Sequence, residues 1–135
     1  MRVLALLLFA FLACAAPAAA ADDVAAAQNV IRSQEQAFSR DDAAAAYSYA
    51  APVIQKLFPQ ADIFLFMVQN SYAPVYRHKR FEFGEARTEG SWVAQRVHII
   101  DANGEAWEAM YTLEQDANGT FKITGCSLLK AGDSV

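Results

Sequence analysis

Residues 91–129 read SWVAQRVHIIDANGEAWEAMYTLEQDANGTFKITGCSLL. The same four letters occur twice, as Asp101-Ala102-Asn103-Gly104 and Asp116-Ala117-Asn118-Gly119, between runs rich in β-branched and aromatic residues. Asp at the first position can hydrogen-bond its own turn, and Gly at the fourth takes a left-handed conformation without steric cost. The pattern predicts two three-residue hairpin loops, each closing with a bulge. The rival is a two-residue Asn-Gly loop, which shifts the pairing by one residue and turns one strand over.

Hydrophobicity decides between them. With three-residue loops Ile99 faces Trp107, Val97 faces Ala109, Gln95 faces Tyr111 and Val93 faces Leu113. The second loop sets Leu113 against Ile123, Tyr111 against Gly125 and Trp107 against Leu129. One face is then almost wholly apolar. The other collects Arg96, His98, Glu108, Glu114 and Lys122, with Trp92, Met110, Cys126 and Leu128 among them. The rival loop would put Ile99 beside Glu108 and Arg96 beside Tyr111. The preferred register predicts two charge pairs on the polar face, His98 with Glu108 and Glu114 with Lys122.

The chain has 135 residues and a formal net charge of −4. Met1-Arg2 is a short basic start. Val3 to Ala13 is apolar but too short to span a membrane as a helix. Ala19-Ala20-Ala21 precedes Asp22. These features predict a secretory signal peptide over residues 1–21, cut near Ala21, and export to the periplasm. The alternative is a lipoprotein anchored at Cys14, whose preceding Phe11-Leu12-Ala13 fits a lipobox poorly. Residues 22–135 form one domain, long enough to bury roughly 65% of its unfolded surface. Net acidity argues against a nucleic-acid partner, and no later apolar run is long enough for a transmembrane segment. Cys126 alone remains after cleavage, so no intrachain disulfide can form.

The rest of the domain reads as helices. Val24, Ala27, Ile31, Gln34 and Phe38 lie on one face of a helix from Asp23 to Ser39, with Asp22 and Asp23 at its start. Asp41 or Asp42 caps a second helix through Ala43–Ala46 to Tyr49. Pro52 opens a third, carrying Val53, Ile54, Leu57 and Phe58 inward. A fourth spans Ala61 to Ser71, with Ile63, Phe66, Met67 and Asn70 on one stripe and Phe64 and Val68 widening it. Pro74 discourages helix at Ala73. Arg77-His78-Lys79-Arg80 reads as a solvated strand edge. A first strand carries Phe81 and Phe83 on the apolar face and turns through a three-residue loop ending at Gly90. Helices followed by four consecutive antiparallel strands give an α+β domain, with the helices covering the apolar sheet face.

Three segments, Gln36 to Asp42, Ala51 to Pro59, and Met67-Val68 through Tyr72 to Arg77, resemble a bacterial domain-of-unknown-function family of small secreted proteins, family 4864. Trp107 to Ala109, Tyr111 to Glu114 and Phe121 to Cys126 extend the likeness over nearly all of residues 22–135. The family brings no established activity. The resemblance implies a cystatin-like, nuclear-transport-factor-2-like cone, in which helices wrap a curved four-stranded antiparallel sheet. That architecture hosts enzymes, ligand binders and dimerisation modules alike, so the fold alone does not choose among them.

In such a cone a pocket lies between the helices and the apolar sheet face. Gln95 and Tyr111 are its expected interior polar groups, with Gly125 leaving room above Tyr111 and Tyr47, Tyr72 and Tyr76 reaching the mouth. Alternatively Gln95 and Tyr111 satisfy each other in a filled core. Enzymes of this architecture place an Asp–His dyad, or a Tyr with acidic partners, inside the cone. Here His98 falls on the outer face and His78 at an edge, Asp41 and Asp42 are explained as a helix cap, and no catalytic residue is assigned. No His/Cys cluster has metal-ligand spacing, and no phosphate-binding loop or nucleophile motif is present, so no metal or cofactor is expected. The leading expectation is a non-enzymatic module binding a small apolar molecule or a partner. The alternatives are an isomerase or lyase using Tyr111 as hydrogen-bond donor, or a structural homodimer through the outer sheet face at Trp92, Met110 and Leu128.

Overall fold

The computed structural model describes residues 16–132. The expected Met1-Arg2 start, the apolar run Val3 to Ala13 and Cys14 lie outside the described residues. Five helices precede four strands: α1 (Ala16–Ser39), α2 (Ala43–Ser48), α3 (Pro52–Leu57), α4 (Ala61–Ser71), α5 (Ala73–Tyr76), β1 (His78–Glu89), β2 (Trp92–Asp101), β3 (Ala106–Gln115) and β4 (Phe121–Lys130). The strands form one antiparallel sheet in the order β1-β2-β3-β4. The chain is an α+β domain with its helices packed on one sheet face.

Both Asp-Ala-Asn-Gly turns form the expected three-residue loops. Asp101 N–H donates to the Glu105 carbonyl and Asp116 N–H to that of Thr120. Gly104 and Gly119 sit at φ 83° and 78°. The β2–β3 register is the expected one throughout, with Ile99 against Trp107 and Gln95 against Tyr111.

The β3–β4 register holds only as far as Leu113–Ile123. It then slips, so that Thr112 faces Gly125, Tyr111 faces Cys126 and Trp107 faces Lys130. Thr124 is the extra residue, and its hydroxyl donates to that of Thr112 at 2.9 Å. The cause lies on the far edge of β4. Ile123 N–H donates to the Tyr49 carbonyl and its own carbonyl accepts from Ala51 N–H, clamping the strand to the α2–α3 link. Beyond the bulge every β4 side chain changes face. Cys126 and Leu128 turn into the core, and Leu129 turns out, 50% exposed. The expected outer placement of Cys126 and Leu128 is thereby corrected.

The first hairpin also differs from expectation. Its loop has two residues, Gly90 and Ser91, with Glu89 facing Trp92 and Gly90 at φ 56°. A bulge at Gly84-Glu85 then restores Phe81 and Phe83 to the inner face, opposite Ile99 and Val97. The Gln95 carboxamide donates into this bulge, to the carbonyls of Gly84 and Glu85, and accepts from Gln28 Nε2 at 3.0 Å.

Helix α1 buries Ala27, Ile31, Gln34, Ala37 and Phe38. It already includes Ala16, so Asp22 and Asp23 lie inside it rather than at its cap. Asp41, at φ 55°, reverses the chain after α1, and Asp42 caps α2 by accepting from Ala45 N–H. Alanines 37, 46 and 50 are nearly inaccessible, which lets α1 and α2 approach closely. Helix α4 turns Phe64 and Val68 inward and leaves Ile63 and Phe66 exposed. On α3, Val53 and Leu57 are likewise exposed while Ile54 packs on the core. Pro74 stands in the first turn of α5, where its missing N–H costs nothing.

Candidate functional site

A cavity of about 350 Å³ lies between α1, α3, α4 and the bulged part of β4. Its walls are mostly apolar, with Phe38, Phe58, Phe64, Met67 and Val68 prominent. Polar groups come from Gln34, Tyr72, Tyr111, Thr124 and Cys126. Leu57, 71% exposed, stands at the mouth. No charged side chain lines the space. A second hollow, of about 220 Å³, lies on the opposite sheet face among Glu85, Arg87, Arg96 and Met110.

Of the six residues singled out from sequence, Tyr72, Tyr111 and Gly125 line the cavity. The other three are engaged elsewhere. Gln95 is fully buried and its carboxamide holds the β1 bulge, so it makes no hydrogen bond to its register partner Tyr111. The Tyr47 hydroxyl donates to the Phe58 carbonyl at 2.7 Å and ties α2 to the α3–α4 link. The Tyr76 hydroxyl hydrogen-bonds Asp41, and its ring lies under Arg77 with the guanidinium 3.9 Å from the ring centroid. Gly125 contributes backbone alone. A Cβ there would meet Thr112 Oγ1 at 3.1 Å, away from the space over Tyr111.

Tyr111 and Cys126 form the floor. Burial, then the neighbouring Cys126, pushes the Tyr111 hydroxyl well above its ordinary range. Burial pushes the Cys126 thiol up to about 12, against the influence of the neighbouring Tyr111 hydroxyl, which favours the thiolate. Burial also raises Tyr72. All three are therefore neutral at physiological pH. Gln34 is 4% exposed, and its Nε2 donates to the Ala46 carbonyl at 3.1 Å.

One cluster escaped the reading of the sequence. Glu35 on α1 receives both Arg32 Nη1, at 2.8 and 2.9 Å, and His78 Nε2, at 3.4 Å. The other ring nitrogen of His78 lies 2.9 Å from the Pro74 carbonyl. The Arg32 guanidinium lies over Phe81 and Phe83, at 5.2 and 4.7 Å. Burial raises the Glu35 carboxyl, but His78 and Arg32 together outweigh it and hold it below the usual range. So His78 is not part of a solvated edge. Arg77 is also engaged, with the Phe38 carbonyl and Asp41, whereas Lys79 and Arg80 remain exposed. The available signal was Glu35 standing three residues after Arg32, beside the buried Gln34. A carboxylate held below its ordinary range is a weak base, and it stands outside the cavity lining.

On the outer face His98 pairs with Glu108 at 3.1 Å, as expected, and Arg96 joins the same carboxylate. Glu114 and Lys122 are register partners, but the Lys122 ammonium donates to the Ser48 carbonyl instead. Among the described residues no cluster of three His, Cys, Asp or Glu side chains could hold a metal ion, and no helix is long and apolar enough to cross a membrane.

The family model described as Domain of unknown function (DUF4864) matches residues 20–134. The chain belongs to this family. No curated protein and no solved structure matches it. As a DUF4864 member it carries the family's match across both the helical layer and the sheet, so the cavity between them is built wholly from the matched segment.

Proposed function

We propose that this DUF4864 protein is a non-enzymatic module that binds a small apolar molecule after export to the periplasm. The cavity carries this reading. Its volume falls within the range of small-molecule sites, it is mainly apolar, and a few convergent polar groups line it. A general base is missing from its lining, which argues against the isomerase or lyase alternative. Helices over one face of a four-stranded antiparallel sheet, with a cavity between the layers, support a cystatin-like, nuclear-transport-factor-2-like arrangement. Export is supported by the basic start, the apolar run and Ala19-Ala20-Ala21. Cleavage after Ala21 would leave the core intact, because Ala27 is the first buried residue of α1 among those whose burial is described.

Native mass spectrometry of protein purified gently from the periplasm tests the reading. The expected result is a mass excess that disappears on denaturation, on a chain beginning at Asp22. An apo mass at twice that of the chain would favour the structural dimer instead. Trp92, 45% exposed on the outer sheet face, makes that outcome the one to compare against.

A further inference from the structure

Building on the binding function proposed above, we infer that the cavity selects an uncharged amphiphile: a hydrocarbon body with a single hydroxyl-type head, in preference to a carboxylate or an ammonium of equal length. No Asp, Glu, Lys, Arg or His lines the cavity. The nearby carboxylate of Glu35 is already engaged by Arg32 and His78. An ionised head entering this space would lose its hydration without gaining a counter-charge, a large penalty in an apolar site.

The polar groups on the walls suit a neutral head. Gln34 spends its Nε2 on the Ala46 carbonyl, which leaves Oε1 as an acceptor with no protein donor among the described residues. Tyr111 and Cys126, which face each other across β3 and β4, add a hydroxyl and a thiol to the lining. A hydroxyl both donates and accepts, so it can meet Gln34 Oε1 and the tyrosine together. A carboxylate would bring its oxygens against Gln34 Oε1, acceptor facing acceptor. An ammonium could donate to Gln34 but would stay uncompensated. At the mouth the exposed Leu57 gives the far end of a hydrocarbon chain an apolar contact.

The test uses three probes with one chain length: 1-octanol, sodium octanoate and octylammonium chloride. Each is titrated into the purified protein by calorimetry and by amide chemical shifts at Gly125 and Cys126. The expected result is saturable binding of 1-octanol at neutral pH, with both ions weaker by about a hundredfold or more. Octanoate should gain affinity as the pH falls through its own carboxyl range. Octanoate or octylammonium binding as tightly as 1-octanol would overturn the selection for a neutral head and leave the cavity as a binding site. No shift with any of the three would overturn both.

Discussion

Tyr111 stands directly opposite Cys126 across β3 and β4, with both side chains on the helix-covered face of the sheet. The pairing depends on one extra residue, Thr124, and it converts a cysteine expected on the surface into part of a cavity floor. With its pKa at about 12 the thiol is almost wholly protonated at pH near 8. Disulfide reagents should therefore attack Cys126 on the order of a thousandfold more slowly than an exposed cysteine, since only the thiolate reacts. Denaturant should abolish the difference. A native rate equal to that of a free thiol would contradict the buried placement.

Tyr111→Phe removes the neighbouring hydroxyl whose influence favours the thiolate. The Cys126 thiol should then rise further and react more slowly still, while stability changes by about 1 kcal/mol or less. If the hydroxyl also contacts the ligand, affinity should fall by about tenfold. Thiol kinetics, denaturant melts and ligand titration on one variant separate these effects.

The doubled turn supplies its own control. Asp101 and Asp116 each accept two turn N–H groups, but only Asp101 also accepts from an indole, Trp107 Nε1 at 2.9 Å. Trp107 is the largest cause of its lowered pKa, followed by the Glu105 N–H. A carboxylate depressed in the folded state adds stability that is present above its unfolded pKa, near 3.8, and lost as the pH falls through the lower folded value. Asp101→Asn should lower Tm more than Asp116→Asn, and the excess should shrink as the pH is taken below about 4. Thermal melts of both variants from neutral to strongly acidic pH check this.

Gln95→Leu should cost about 2–3 kcal/mol in denaturant unfolding, because it strips partners from two bulge carbonyls and from Gln28 in a buried site. Amide exchange should accelerate around Gly84 and Glu85 before the rest of the sheet. A variant as stable as the parent would mean the bulge holds without its carboxamide anchor.

Glu35 and His78 couple α1 to the start of β1. A double-mutant cycle with Glu35→Gln and His78→Gln should return a coupling of about 0.5–2 kcal/mol at neutral pH. Since the Glu35 carboxyl is held below its ordinary 4.5, its contribution is full above that value and lost as the pH falls through the lower folded one. A coupling near zero at neutral pH would reduce the cluster to incidental proximity.

What could be read from the residues followed local chemistry. Each Asp-Ala-Asn-Gly turn needs a left-handed glycine, and hydrophobic alternation then chose the three-residue loop and set the β2–β3 register without any tertiary knowledge. The bulges at Gly84-Glu85 and Thr124 are tertiary in origin. One is held by the Gln95 side chain from the neighbouring strand, and the other arises where Tyr49 and Ala51, distant in sequence, seize Ile123. Helix α4 is apolar on several sides, so its spacing could not distinguish Phe64 and Val68 from Ile63 and Phe66. For the cavity, Tyr72, Tyr111 and Gly125 were within reach of strand alternation and composition. Gln34 had been read as part of a core stripe, and its place at the cavity wall depends on how α1 crosses the sheet. Gln95 was misassigned because an interior polar residue looks the same from sequence whether it serves a ligand or a backbone.

The margin of β1 has a consequence for how this molecule meets its own copies. Lys79, Arg80, Glu82, Glu85, Arg87 and Glu89 are all exposed along it, and the Gly84-Glu85 bulge interrupts its pleat. A second strand laid there would find mixed charge and a broken ladder. At the opposite margin Ile123 is already occupied by the α2–α3 link. The sheet is thus a poor seed for edge-to-edge growth on one side and half-capped on the other, a form of protection while the chain is still folding.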